Sequence, residues 1–311
     1  MRFPRSAADA GAPAGRGAAI DMRLDDSRVR VAALLIGVVA VSAAAILVRV
    51  AAAPAVALAF WRTGLAAVAL APFALRAGVV PRGRERLLLL VSGVLLAAHF
   101  TLWFVSLQLT TVAASSVLVA MSPLVVGAGS SLLLAEPPTG RTWAGLGLAV
   151  AGAAMIAAGD LGAADRRALA GDGLAFAAAV AAAGYLLAGR HARRRLPVSV
   201  YATWTYGVAA AVLGVVAAGT TTSIGLRPAY DATTWWAIAG LVIGPQLLGH
   251  TMFNLVLARV SATVVAIVII AEPVGATVLA AVLLHETPGT GFYLGAPLVL
   301  AGVLAAARRA G

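Results

Sequence analysis

Residues 118–140 read LVAMSPLVVGAGSSLLLAEPPTG, and residues 268–290 read VIIAEPVGATVLAAVLLHETPGT. Displaced by 150 residues, they place Pro123 on Pro273, Leu133-Leu134 on Leu283-Leu284, Glu136 on Glu286 and Pro138 on Pro288. The register continues to Gly145 on Gly295 and Gly152 on Gly302, without a gap from about residue 103 to 155 against 253 to 305. Apolar sequence matches itself by chance at leucine and alanine. It rarely does so at two prolines, a glutamate and two glycines together. The chain therefore contains two related halves.

The solvent of these halves is lipid. Of 311 residues, 61% are apolar, 33 are glycine and only 11% are charged, far above the ~45–50% apolar content of soluble domains. A soluble fold of this size cannot hide so much apolar side chain. From Val31 onward, stretches near the ~20 residues that cross a bilayer follow one another almost without pause. Spans are expected at 31–48, 55–75, 87–107, 111–134, 142–158, 173–189, 198–218, 235–257, 262–284 and 291–307. The uncharged run between Arg86 and Glu136 is too long for one crossing, and the polar Gln108–Thr111 divides it. No short alternating segments of the barrel type occur. The expected fold is an all-α integral membrane protein of ten transmembrane helices. Each copy holds five, an odd number, so the two lie in the membrane as inverted repeats.

The expected division is a disordered cytoplasmic leader at 1–30, a first five-helix repeat at 31–158 and a linker loop at 159–172. A second repeat follows at 173–307, then a cytoplasmic tail at 308–311. The leader has no apolar core before a cleavage site and does not read as a signal peptide; Met22 offers a second start. With the N-terminus inside, eighteen arginines fall in cytoplasmic segments, and only Arg49, Arg166, Arg167 and Arg227 fall outside. Both termini are expected on the cytoplasmic side of the cell's inner membrane.

Composition also removes whole chemistries. There is no cysteine, which excludes disulfides, thiolate nucleophiles and cysteine-held metals. All 23 basic residues are arginine, so neither a P-loop nor a Schiff-base lysine exists. His99, His191, His250 and His285 are too scattered for a metal site, and no cofactor is expected. The net charge of +11 sits in short clusters between apolar runs, the pattern of membrane loops rather than of nucleic-acid binding.

Inverted halves have a physical purpose in secondary transporters, where rocking one half against the other exposes a central site alternately. The segments LQLTTVAASSVLVAMSPL (107–124), LLLAEPPTG (132–140), LARVSATVVAIVIIAEPVGATVLAAVLLHETPG (257–289) and GDGLAFAAAVAAAGYLLAGRHARR (171–194) resemble the EamA-type ten-helix family of drug/metabolite transporters. The likeness covers about residues 31–307. It implies a carrier that moves small metabolites or amino-acid-like solutes outward. The sequence departs from the pattern at Ser122, where the second copy has Glu272, and at His285, a position usually small before the glutamate.

Candidate site residues follow. Pro123 and Pro273 interrupt their spans and mark hinges, because proline removes a backbone hydrogen bond and frees carbonyls. Glu272 is the one acidic residue inside any expected span, about 15 Å from either face at ~1.5 Å per residue. Such a charge costs on the order of 2.5–3.5 kcal/mol, so it faces protein or a watered cavity. It is expected either to carry the proton of a coupled carrier or to be paired permanently with Arg62 or His250. Arg62 either snorkels to the outer interface or faces the cavity to attract a carboxylate; Trp61 beside it reads as an interface aromatic.

His99 with Trp103 and His250 with Asn254 hold nearly equivalent places in helices three and eight. Each pair is spaced to share one helix face and to line a cavity with Ser122, Tyr185 and Gln246. Glu136 and Glu286 read as structural helix-end residues, with Arg141 a local partner of Glu136. Gly145, Gly152, Gly291, Gly295 and Gly302 form small faces that pack the halves together or support a homodimer.

The function expected is a proton-coupled exporter of a small solute in the lipid bilayer, with an uncoupled facilitator or exchanger as the alternative. A membrane enzyme would need a polar cluster at the lipid interface, and the short loops offer none.

Overall fold

The computed structural model describes residues 26–110, 112–158, 166–220, 224, 230–283 and 289–307. Glu286 and His285, most of the expected leader, part of the linker, and the tail lie outside the described residues. All regular structure within them is helical.

The first half contains α1 (Ser27–Ser42), α2 (Ala44–Val50), α3 (Ala55–Ala77), α4 (Arg84–Ser106), α5 (Val112–Val119), α6 (Ser122–Leu133) and α7 (Gly140–Ala158). The second contains α8 (Arg166–Arg193), α9 (Val198–Ala218), α10 (Ala232–Leu241), a π-helical segment (Val242–His250), α11 (Thr251–Val256), α12 (Ala262–Ile269), α13 (Glu272–Leu283) and α14 (Thr290–Ala307). Among the described residues, seven helices or stacked helix pairs are long and apolar enough to cross a membrane.

Local chemistry sets the boundaries. Asp26 caps α1 through Arg28 N–H at 2.8 Å, and Asp231 caps α10 through Thr234 N–H at 2.8 Å. Gly78, at φ 64, closes α3 in the left-handed conformation that glycine adopts without a Cβ penalty. The helix of the second half begins at Arg166, inside the stretch expected as linker. Its first turns are tied back to the end of the third span: Thr110 Oγ1 donates to Asp172 at 2.8 Å, and Arg167 donates to the Gln108 carbonyl at 3.3 Å.

Pro123 and Pro273 were expected to interrupt their spans, and each lies in the first turn of a helix that restarts after a two-residue turn. α5 ends in a tight turn through Ala120 and Met121, and α6 restarts at Ser122-Pro123. α12 ends in the same way through Ile270 and Ala271, whose N–H groups reach Ile267 and Val268 carbonyls at 3.1 Å. Proline suits the first turn of a new helix, where its missing N–H is not needed. A third irregularity was not expected. Pro245 lies within the π-helical segment, which widens the helix around the N–H that proline lacks.

The two halves interlock. α1 packs on the π segment and α11, as α8 packs on α4; α3 packs on α9, and α7 on α14. Exchanging the halves maps these pairs onto one another. At the α7–α14 crossing, a Cβ on Gly145 would meet the Gly302 carbonyl oxygen at 2.7 Å, and one on Gly152 would meet that of Gly295 at 2.6 Å. The helices therefore run antiparallel with their backbones in contact. Gly291 approaches the Met155 carbonyl in the same seam. Of the two uses expected for these glycines, the fold employs them between its own halves.

Candidate functional site: a cavity between the broken helices

The two broken turns face one cavity. Ser122 lines it from the first and Glu272-Pro273 from the second. Arg62 of α3, His99 and Trp103 of α4, Tyr185 of α8 and His250 at the end of the π segment contribute to its polar and aromatic wall. Four separate stretches of sequence are thus brought together with the two breaks.

Arg62 does not snorkel. Its side chain is 1% exposed, its Nε donates to Gln246 Oε1 at 2.6 Å, and its guanidinium carbon lies 4.1 Å from the centre of the Phe100 ring. Snorkelling fails here because Gln246, reaching across from the π segment, and the ring face together hold the charge inward. Arg62 Nη1 is buried with no hydrogen-bond partner among the described residues. Trp61 packs edge-on against Trp235, ring centres 5.3 Å apart.

His99 and Trp103 share a helix face as their spacing requires, with rings stacked at 5.9 Å. His99 Nδ1 lies 3.0 Å from the Ala178 carbonyl. A carbonyl only accepts, so that nitrogen carries the proton. His250 stands edge-on to Phe100 at 5.3 Å and 6.1 Å from the Tyr185 ring.

Asn254 does not line the cavity, and the expectation that it would is corrected. Its amide exchanges hydrogen bonds with the Tyr185 hydroxyl at 2.8 and 2.6 Å and donates to Tyr206 at 3.2 Å. Tyr185 stands between it and the open space. Tyr206 meets Thr251 at 3.1 Å, and Thr251 donates to the Gln246 carbonyl at 3.1 Å. One buried polar chain along the irregular helix therefore links Arg62 to Tyr185, with Gln246 Nε2, like Arg62 Nη1, left without a partner among the described residues.

Glu272 opens α13, and its backbone carbonyl accepts from Ser42 Oγ at 3.3 Å. Among the described residues no hydrogen-bond donor meets its carboxylate, and neither Arg62 nor His250 comes within the 4.0 Å of an ion pair. The expected permanent pairing with either is absent from this conformation.

Outside the spans, Glu136 binds Arg190 Nη2 at 2.8 Å and Arg194 Nη2 at 2.6 Å, not the neighbouring Arg141. Ala135, at φ 53, turns the chain after α6, and Glu136 N–H returns to the Ser130 carbonyl at 3.0 Å. Arg190 also donates to the Leu257 carbonyl at 2.6 Å, which joins the end of α6 to α8 and α11. Burial pushes the Glu136 carboxyl up, but the two guanidiniums outweigh it and hold it below the ordinary carboxylate range.

Gln246, expected in the lining, is not in it and acts instead by holding Arg62, as does Phe100, whereas Phe253 lines the cavity itself. Phe100 and Phe253 stand one residue from candidates, and Gln246 follows the proline of the π segment.

The family model for EamA-like transporters matches this chain twice, over residues 29–158 and 169–308. Twenty-eight chains of solved structures are similar. One crystal structure superposes with a TM-score of 0.73 at 21% identity, covering 90% of this chain and 98% of its own, which shows a shared fold. No curated protein matches. Two copies of the family unit account for both halves, their apolar helices and the cavity between them, so the chain belongs to the EamA-like transporter family and is a multi-pass membrane protein.

Proposed function

We propose that this protein is a secondary transporter, not an enzyme, and exports a small metabolite or amino-acid-like solute by alternating access coupled to protons. In this reading ten helices cross the cell's inner membrane as two inverted repeats, residues 31–158 and 173–307, with both termini cytoplasmic. The observation that carries it is Glu272: a carboxyl with no partner among the described residues, facing the cavity from a turn where the helix is broken. A rocking motion needs a hinge, and Pro273 places the titrating group on one. A carboxyl that takes its proton on one side and releases it on the other supplies the coupling.

A second reading, an uncoupled exchanger, draws on the position of Glu272 in the first turn of α13. There the helix dipole favours a permanent negative charge. One experiment separates the two. The solute whose external level rises on overexpression and falls on deletion is loaded into proteoliposomes, and a pH gradient is imposed. Glu272→Gln keeps the shape and removes the titration. It is expected to retain solute exchange and lose gradient-driven accumulation; accumulation at the parental level would leave Glu272 without the proton role.

Orientation has its own test. A cytoplasmic reporter fused after Arg309 is expected to be active and a periplasmic one inactive; the reverse would overturn the arginine asymmetry.

A further inference from the structure

A second cavity, of about 530 Å³, lies away from the first, at the end of the molecule where Glu136 meets Arg190. Both halves build it. The turn after α6 and the start of α7 supply Glu136, Arg141 and Thr142; the end of α8 and the turn before α12 supply Arg190, Arg259 and Ser261.

The balance of charge there is positive. Glu136 is the one carboxylate of the described lining, and Arg190 and Arg194 both bind it, so two guanidiniums already exceed the charge they neutralise. Arg141 and Arg259 add to that excess. Arg141 is exposed and meets no hydrogen-bond or ionic partner among the described residues. Neutral donors converge on the same space. α7 and α12 both begin at this cavity, and the first N–H groups of a helix lack intrahelical acceptors and carry partial positive charge. Thr139 Oγ1 caps one of them, Thr142 N–H at 3.2 Å, and Ser261 Oγ caps another, Val264 N–H at 3.4 Å. A hydroxyl that accepts in this way still has its own O–H to donate.

The repeat does not demand this charge: at a displacement of 150 residues, Arg141 falls on Gly291 and Arg259 on Leu109. Membrane orientation accounts for arginine in the loops of one face, but not for its meeting in a cavity with two helix starts. The surroundings are apolar. Leu133, Trp143 and Leu304, each within three residues of a lining residue, are exposed.

We propose that this cavity is a phosphate site that takes the headgroup of an anionic phospholipid. Arg141 and Arg259 hold the phosphate with the helix starts, and the acyl chains lie along the exposed apolar side chains beside them. Phosphate free in solution has the same chemistry, and the test separates the two. Because the walls come from both halves, a bound headgroup ties the halves together at this face.

The probes are short-chain phosphatidylglycerol, phosphatidylcholine of the same chain length, and inorganic phosphate against sodium chloride at equal ionic strength. Each is titrated into delipidated full-length protein in neutral detergent, and binding is read from the rise in unfolding temperature. Phosphatidylglycerol is expected to give a saturable rise and phosphatidylcholine none. Replacing both arginines, Arg141→Gln with Arg259→Gln, removes charge-assisted hydrogen bonds and is expected to weaken phosphatidylglycerol binding about ten-fold or more. Arg84→Gln with Arg195→Gln removes the same charge outside the cavity but at the same end, since both act on His191 of α8; it is expected to bind like the parent. If inorganic phosphate alone raises the unfolding temperature and competes with the lipid, the site stands and phosphate suffices; a rise with the lipid alone assigns it to the headgroup. The proposal is overturned if phosphatidylcholine matches phosphatidylglycerol, if no probe binds, or if the two double variants lose affinity equally. The comparison of the two lipids on the parent protein needs no variant to fold, and none of these outcomes bears on Glu272 or on proton coupling.

Discussion

Gly152→Leu is expected to abolish recovery of monodisperse protein, whereas Gly147→Leu on the same helix is expected to behave like the parent. A side chain at 152 meets the Gly295 carbonyl at 2.6 Å, Val299 N at 2.7 Å and Leu298 Cβ at 2.9 Å. The first two are backbone atoms of α14, which no rotamer change can move aside. Overpacking that a core can absorb typically costs about 1–3 kcal/mol. Here the helices themselves must separate. In lipid, helices are held by close van der Waals contact rather than by exclusion from water, so separation forfeits the contact that joins the halves. With total stabilities of about 5–15 kcal/mol, the loss is expected to be decisive. At 147 an added Cβ meets nothing within 4 Å, so the control isolates the clash from the general effect of a leucine. Equal size-exclusion profiles of the two variants at equal expression would show that the seam is not needed.

The seam was legible in the sequence because close backbone approach in lipid requires small residues, and the repeat put them at corresponding places. The breaks were legible for a similar reason: proline leaves a local mark. Side-chain partners were harder to read. Arg62 had two placements on its own helix, and the choice depends on Gln246, 184 residues away. The partner of Glu136 looked local because Arg141 is near in sequence, yet the turn at Ala135 leads it to Arg190 and Arg194. Asn254 was read on an ideal helix, whereas the π segment ending at His250 and the tyrosines at 185 and 206 decide what it touches. Periodicity carries burial and span. It does not carry the identity of a polar partner on another helix.

The same distinction sets the last expectation, which concerns two positions equivalent by the repeat. Ser122→Ala is expected to keep most of the transport rate, and Glu272→Ala to lose gradient-driven transport altogether. Both residues line the cavity, and each directly precedes the proline that restarts a helix. The backbone role is therefore shared, and what differs is the side chain. The Ser122 hydroxyl makes no hydrogen bond to protein among the described residues. Its removal forfeits at most one contact to solute, about 0.5–1.5 kcal/mol, which is near ten-fold or less. Glu272 supplies the only carboxyl on the described wall, so no other group there can take over its negative charge. Glu272→Ser makes the comparison sharper, because it gives the second turn the residue that the first already tolerates. If the broken turn alone sufficed, Glu272→Ser would transport normally. It is expected to be as inactive as Glu272→Ala in gradient-driven solute flux at matched membrane expression. Equal losses from Ser122→Ala and Glu272→Ala would mean that the two halves share the polar centre, and the functional asymmetry drawn from the repeat would fall.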